Sequence, residues 1–176
     1  MNRREAIERI TLMMGGVLAA PLIAGAMGEK LNMGPSVNYT PEQALLIAEV
    51  ADVIIPTTKT PGAKAAGVEK FITRVIRDCY TLKEQEAFYT GLAKIETNSK
   101  AIYGKGFAAL AATQKNDIVT RVTTDDKPFF LQMKGLTVTA YFISEVGATQ
   151  ALEYLPIPGR FEGTTLLAPG QKTWAI

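Results

Sequence analysis

The fold class of this chain is decided by residues 40–56, which read TPEQALLIAEVADVIIP. Thr40 can cap free backbone N–H groups, Pro41 suits the first helical position, and Gln43 completes a capping box. Apolar residues follow at spacings of three and four, which places them on one face of an α-helix. Further apolar residues broaden that face. The pattern therefore predicts a largely buried helix that ends at Pro56.

Four more helices are predicted on the C-terminal side of this stretch. Each shows an apolar stripe at helical spacing, with capping residues or proline near its start or glycine at its end. The expected bounds are Val68 to Tyr80, Thr81 to Tyr103 (stopped by Gly104 and Gly106), Gln114 to Val122 (capped by Thr113), and Phe129 to about Val146.

Particular side chains of the second and third helices are expected to face the core. Cys79 falls on the apolar stripe of the second helix, where it reads as a small buried hydrophobic residue or, in an exported protein, as a thiol that pairs with another chain. The inward positions of the third helix are Ala87, Phe88, Gly91, Leu92, Ile95 and Ile102.

The last helix has apolar residues on nearly every side, which is typical of a helix at the centre of a bundle. Its length is close to that of a membrane span, but Gln132, Lys134 and other polar residues argue against that interpretation. Beyond Gly147 the chain is rich in proline and aromatic residues and predicts an irregular tail. The fold class is therefore all-α, a single compact bundle of about five helices with a Pro/aromatic-rich C-terminal tail.

The composition excludes several kinds of chemistry. The chain of 176 residues contains no His and a single Cys, Cys79. A Cys-x-x-Cys-His haem attachment site, an iron–sulfur cluster, a His/Cys zinc site and His-dependent nucleophile triads are therefore all excluded for this chain alone. The net charge of +2 gives no electrostatic indication of nucleic-acid binding.

Residues 1–27 have the layout of an export signal. Arg3 and Arg4 precede an uncharged run that closes with the small residues Ala24, Gly25 and Ala26. The twin arginines indicate the Tat route, which carries folded proteins across the membrane. An uncleaved signal anchor and a purely structural helix are the alternatives. Residues 28–39 read as a linker and 40–176 as the helical domain, so the expected location is the periplasm, with membrane association if the signal remains attached.

A few isolated polar residues are candidates for chemistry. Asp125-Asp126 is typical of a solvated loop or a helix start rather than a metal site. Glu145 and Asp52 lie in apolar helices, where a buried carboxylate would need a partner, but the simpler interpretation is a satisfied or exposed side chain. Gly104-Lys105-Gly106 lacks the context of a phosphate loop and reads as a helix stop.

The last helix and the tail are the candidate partner interface. Large apolar groups in irregular segments must be covered either by the protein's own core or by a partner, and the sequence leaves both open. The candidate interface residues are Phe142, Tyr154, Pro156, Pro158, Gly159, Phe161 and Trp174.

Three blocks of the sequence resemble the gluconate 2-dehydrogenase subunit 3 family. The first comprises ADVIIPT (51–57), PGA (61–63), Val68 and Phe71-Ile72. The second comprises Phe129-Phe130, KGLT (134–137) and YFISEVG (141–147). The third is the closing turn with Tyr154, Pro156, Pro158-Gly159 and Gly163.

The resemblance implies a small subunit, without a cofactor of its own, in a periplasmic sugar or polyol dehydrogenase complex. In that family a large flavoprotein carries FAD and oxidises the substrate, and a cytochrome c subunit with haem c often accepts the electrons. The small subunit supports folding and export of the flavoprotein, which implies the Tat translocase as a further partner. Two alternatives remain: a stand-alone exported helical binding module, and an enzyme in its own right.

Overall fold

The computed structural model of the protein describes residues 37–154, 159, 164, 166 and 169–175. Five α-helices in this part of the chain confirm the predicted all-α fold class. They are α1 (Pro41–Ile54), α2 (Val68–Cys79), α3 (Leu82–Tyr103), α4 (Ala112–Asp125) and α5 (Lys127–Ile143). A 3-10 turn, Phe107–Ala109, lies between α3 and α4, and a π-helical turn, Gly147–Ala151, follows α5.

The N-terminal caps of α1 and α3 and the C-terminal end of α3 form as predicted, because the residues that determine them are close in sequence. The hydroxyl oxygens of Thr40 and Thr81 accept hydrogen bonds from the backbone N–H groups of Gln43 and Glu84. The side chains of Gln43 and Glu84 accept bonds from the N–H groups of the two threonines in return. Gly104 ends α3 in the left-handed conformation, with φ of 67°, which glycine adopts without steric cost.

Helices α1 and α5 lie at the centre of the bundle, since each of them contacts the other four. Their apolar faces meet those of α2, α3 and α4 in one continuous core. Burying an Ile, Leu or Phe side chain contributes roughly 1.5–3 kcal/mol, so this core is the main stabilising element. Its fully buried residues include Ile47, Ile72, Ile76, Leu92, Phe107 and Met133.

Helix α5 ends three residues earlier than predicted and is not buried on all sides. Ser144 has extended backbone angles, and its hydroxyl donates a 2.6 Å hydrogen bond to the carbonyl oxygen of Tyr141. The same hydroxyl oxygen accepts a bond from the N–H of Gly147, so it takes over contacts that another helical turn would have made. Leu131 and Ile143 are 54% and 60% exposed, and the expectation of burial on nearly every side is therefore wrong at these two positions.

Helix α4 is longer at both ends than predicted. The side chain of Gln114 accepts a hydrogen bond from the N–H of Ala111, so the cap forms at Ala111 and not at Thr113. At the other end α4 reaches Asp125, and Asp126 alone separates it from α5. The acidic pair therefore occupies a sharp helix–helix corner.

Three side chains predicted to face the core are instead exposed. Cys79 lies in the last turn of α2 and is exposed. Ala87 is exposed on α3, and Ile102 near the end of that helix is 45% exposed. Each stands at the margin of its apolar stripe, where the position of the neighbouring helices decides burial. The other inward positions of α3 are buried as predicted: Phe88, Gly91, Leu92 and Ile95.

After the π-helical turn, two short strands pair in parallel. Glu153–Tyr154 lies beside Trp174–Ala175, with Glu153 opposite Trp174 and Tyr154 opposite Ala175. Among the described residues, no helix combines the length and apolar character needed to cross a bilayer. Within the same residues, no cluster of three or more Cys, Asp or Glu side chains could bind a metal ion.

Candidate partner interface

The connection between α1 and α2 is a tightly fixed loop. The N–H of Gly62 donates a 2.9 Å hydrogen bond to the hydroxyl oxygen of Thr57, and the N–H of Ala63 donates one of 2.9 Å to the carbonyl oxygen of Ile55. A Cβ atom at Gly62 would lie 2.5 Å from the backbone nitrogen of Thr57 and 2.7 Å from the oxygen of Ile55. The backbone therefore folds back on itself so closely that only glycine can occupy this position.

Tyr141 attaches this loop to the end of α5. Its hydroxyl donates a 2.8 Å hydrogen bond to the carbonyl oxygen of Pro61, and the side chain is only 2% exposed. The ring of Phe142 meets the ring of Tyr141 edge-on, with 5.3 Å between the ring centroids. Phe142 itself remains 39% exposed. The end of α5 thus has one aromatic residue anchored in the core and the next one at the surface.

A partly buried ion-pair cluster holds the loop from the other side. Lys64, in the loop, lies 2.5 Å from one carboxylate oxygen of Glu49 on α1, and Lys115 on α4 lies 2.7 Å from the other. The side chains of Glu49 and Lys115 are 9% and 16% exposed, whereas that of Lys64 is 46% exposed. The cluster joins two helices and the loop through a single carboxylate.

The two lysines keep Glu49 ionised. Burial acts to raise the pKa of Glu49, but the hydrogen bonds and positive charges of Lys115 and Lys64 outweigh it, so the pKa lies below its ordinary value. The hydrogen bond to Glu49 raises the pKa of Lys64 in turn. Glu49 could not be recognised from the sequence as a paired carboxylate, in contrast to the candidates Asp52 and Glu145, because its partners lie 15 and 66 residues away in the chain.

A shallow surface groove of about 280 Å³ runs between α2 and the end of α5. Ile143, which is 60% exposed, forms part of its wall. On the side formed by α2, two positively charged residues, Lys70 and Arg74, line the groove. The apolar part of its lining consists of Ala66, Gly67, Val68, Phe71, Ala140 and Ile143.

Of the predicted interface residues, Phe142 precedes the groove residue Ile143 in α5 and does not itself line the groove. Gly159 is exposed and has φ of 67°. Tyr154 and Trp174 contribute backbone to the two paired strands. Pro156, Pro158 and Phe161 lie outside the described residues, as do Arg3 and Arg4 of the expected export signal.

The other polar candidates do not come together into a site. Asp126 accepts a 2.7 Å hydrogen bond from Lys94 and stands at the start of α5, whereas Asp125 is exposed. Glu145 is exposed and Asp52 is half-buried. The positions of Asp125, Asp126 and Glu145 agree with the simpler interpretation of each of these three residues. Gly104 ends α3, as the interpretation of Gly104-Lys105-Gly106 as a helix stop predicts.

The family model for gluconate 2-dehydrogenase subunit 3 matches residues 41–159. The chain belongs to this family. The matched residues include the fixed loop, the ion-pair cluster and the groove. The first two sequence blocks that resemble the family meet at the hydrogen bond between Tyr141 and Pro61. No curated protein and no solved structure matches the chain. Membership in the gluconate 2-dehydrogenase subunit 3 family implies an accessory role in a multisubunit dehydrogenase complex.

Proposed function

We propose that this chain is a non-catalytic accessory subunit of a periplasmic, FAD-dependent sugar or polyol dehydrogenase complex, and that it docks the large flavoprotein subunit. The observation that carries the docking role is the exposed apolar end of α5. Ile143, which lines a groove with a largely apolar wall, is 60% exposed, and Phe142, its neighbour in the chain, is 39% exposed. Exposed apolar side chains next to a groove are typical of a surface that a partner covers.

The surroundings of this surface suit a docking role because they are held in place before any partner binds. The hydroxyl of Tyr141 donates a hydrogen bond to the carbonyl oxygen of Pro61, and Lys64 donates one to the carboxylate of Glu49. The loop and the end of α5 are therefore both fixed to the core. A surface that is already ordered loses less conformational entropy when a complex forms. Such a surface can act as a template for a larger subunit.

The proposed division of chemistry within the complex follows from the composition. Because the chain has no His and only one Cys, it lacks the residues of a c-type haem site. The described residues also contain no strand–turn–helix unit of the kind that usually binds a flavin dinucleotide. In this proposal FAD belongs to the large subunit, and haem c to a cytochrome c subunit where the complex contains one.

The proposed route to the periplasm rests on Arg3 and Arg4. The Tat translocase moves folded proteins, which suits a flavoprotein that must acquire FAD before export. A small domain that binds the folded flavoprotein and carries the signal can bring both chains across together. Membrane association then depends on whether the N-terminal segment remains attached.

The docking role can be tested with a matched pair of variants on one helix. Ile143→Asp places a charge in the groove wall, whereas Leu131→Asp places one at a position of similar exposure on α5 that does not line the groove. Both changes are at exposed sites and should alter the folding free energy by no more than about 0.5 kcal/mol.

We expect Ile143→Asp to lose the large flavoprotein in affinity purification from the native periplasm, and Leu131→Asp to retain it. Equal retention by both variants would show that the end of α5 is not the docking surface. A wild-type chain that purifies alone as a stable monomer would instead favour the stand-alone binding module.

A further inference from the structure

The groove between α2 and the end of α5 has a charge pattern that specifies its occupant more closely. Lys70 and Arg74 are both exposed and lie four residues apart on α2, so their side chains emerge on the same side of the helix. Both line the groove. Like charges at this spacing destabilise a helix by about 0.2–0.5 kcal/mol, and a carboxylate placed between them would reverse that effect.

Neither cation has an ion-pair partner among the described residues. Two carboxylates lie on α2. Glu69 stands beside Lys70 without forming an ion pair among the described residues, and Arg77 occupies both oxygens of Asp78, at 2.6 and 2.9 Å, while the positive charge of Arg74 also helps to lower the pKa of Asp78. Glu145 follows Ser144 in the chain without lining the groove. The two positive charges are therefore available to a group from outside the described part of the chain.

Apart from the polar Ser144, the rest of the lining is apolar. Phe71 stands next to Lys70 on α2, and Ala140 and Ile143 contribute from α5. A free anion such as phosphate would leave this surface uncovered, whereas a peptide segment with both acidic and apolar side chains would cover it. Helices that present one apolar and one charged face commonly bind in grooves of this kind.

We propose that this groove receives an acidic, amphipathic segment of the large flavoprotein subunit, with its carboxylates at Lys70 and Arg74 and its apolar side chains on Phe71 and Ile143. The inference rests on the proposed docking function and names the chemistry of the partner segment. The cations orient the segment and raise the association rate, and the apolar contacts supply most of the binding free energy.

The test is the affinity of the large subunit, purified from the native source, for three forms of this chain. They are the wild type, Lys70→Glu/Arg74→Glu, and the control Lys83→Glu/Lys134→Glu, which changes the same number of exposed charges outside the groove. Binding is measured at low and at high salt. We expect the groove variant to bind about tenfold more weakly at low salt, with a smaller difference at high salt, and the control to bind like the wild type.

Each other outcome has a distinct meaning. If the wild type does not bind the flavoprotein at all, the proposed function fails. If the wild type binds and the groove variant binds equally well with the same salt dependence, the groove inference fails while the docking function stands. If the control variant binds as weakly as the groove variant, the attraction is a general electrostatic one. If the wild type binds phosphatidylglycerol vesicles and this binding depends on Lys70 and Arg74, the groove is a lipid site. Either result would overturn the inference.

A cross-linking experiment identifies the segment directly. A photoreactive amino acid in place of Ile143 should capture a peptide of the large subunit that contains Asp or Glu next to apolar residues. Capture of a peptide without carboxylates would contradict the proposal even if the complex itself forms.

Discussion

The hydroxyl of Tyr141 lies 2.8 Å from the carbonyl oxygen of Pro61, to which it donates a hydrogen bond. The two residues are 80 positions apart in the chain. They belong to two of the sequence blocks that resemble the subunit 3 family. The bond joins the fixed loop between α1 and α2 to the end of α5 that carries Phe142 and Ile143. The proposed docking surface depends on that junction.

Tyr141→Phe should therefore loosen the loop. Removing the hydroxyl leaves the Pro61 carbonyl without this partner, and we expect a loss of about 1–2 kcal/mol in the free energy of unfolding measured with urea. Amide hydrogen exchange at Gly62 and Ala63 should become faster. Tyr103→Phe is the matched control, because Tyr103 donates a 2.8 Å bond to Asp117 away from the loop. Equal exchange at Gly62 in both variants would contradict the role given to Tyr141.

Glu49→Gln should destabilise the protein at neutral pH by about 2–3 kcal/mol, since it leaves Lys115 buried without its carboxylate. The effect should depend on pH with a definite sign. Because the folded state lowers the pKa of Glu49, the wild type's advantage is fully present above the ordinary value of 4.5 and disappears as the pH falls through the folded-state pKa.

Urea titrations of the wild type and Glu49→Gln across the acid range measure this difference. Glu145→Gln serves as the control, because Glu145 is exposed and forms no ion pair among the described residues. A stability difference for Glu49→Gln that stays constant from neutral to strongly acid pH would show that the ion pairs do not cause it.

Two glycine substitutions should have opposite effects. A Cβ atom at Gly91 on α3 would overlap the ring of Phe129 on α5, so Gly91→Ala should cost about 1–3 kcal/mol. Gly135 lies within α5 with open space where its Cβ would be, so Gly135→Ala should stabilise the helix by up to about 1 kcal/mol. Thermal unfolding of both variants checks the prediction. A stabilising Gly91→Ala would contradict the close packing of α3 against α5.

Arg3→Lys/Arg4→Lys should block export while preserving charge. Because the Tat route depends on the arginine pair, we expect this chain and its flavoprotein partner to remain in the cytoplasm. Arg9→Lys is the control and should be exported normally. Fractionation followed by immunodetection measures the distribution, and normal export of the double variant would contradict the Tat assignment.

The sequence predicted those features whose causes are local. The capping boxes at Thr40 and Thr81 and the stop at Gly104 each depend on residues within a few positions, and all three form as expected. The exposure of Cys79 and Ile102 could not be predicted in this way, because the packing of neighbouring helices decides which edge of an apolar stripe is covered.

The candidate interface stays a prediction. Phe142 was predicted from the apolar end of the last helix, and it is 39% exposed and adjacent in the chain to the groove residue Ile143. The cluster of Glu49, Lys64 and Lys115 was missed, since only the folded chain brings Lys115 from α4 to α1. The position of Lys70 and Arg74 at the groove also depends on the folded chain, because residues of α5 form the opposite wall.

Docking of a flavoprotein by this chain is tested by affinity purification of the full-length tagged chain from its native periplasm and membranes. We expect a large flavoprotein to be recovered with the chain in a fixed ratio, and the bound flavin to belong to that larger subunit. Recovery of the chain alone, with no flavoprotein and no flavin, would show that the chain does not dock a flavoprotein.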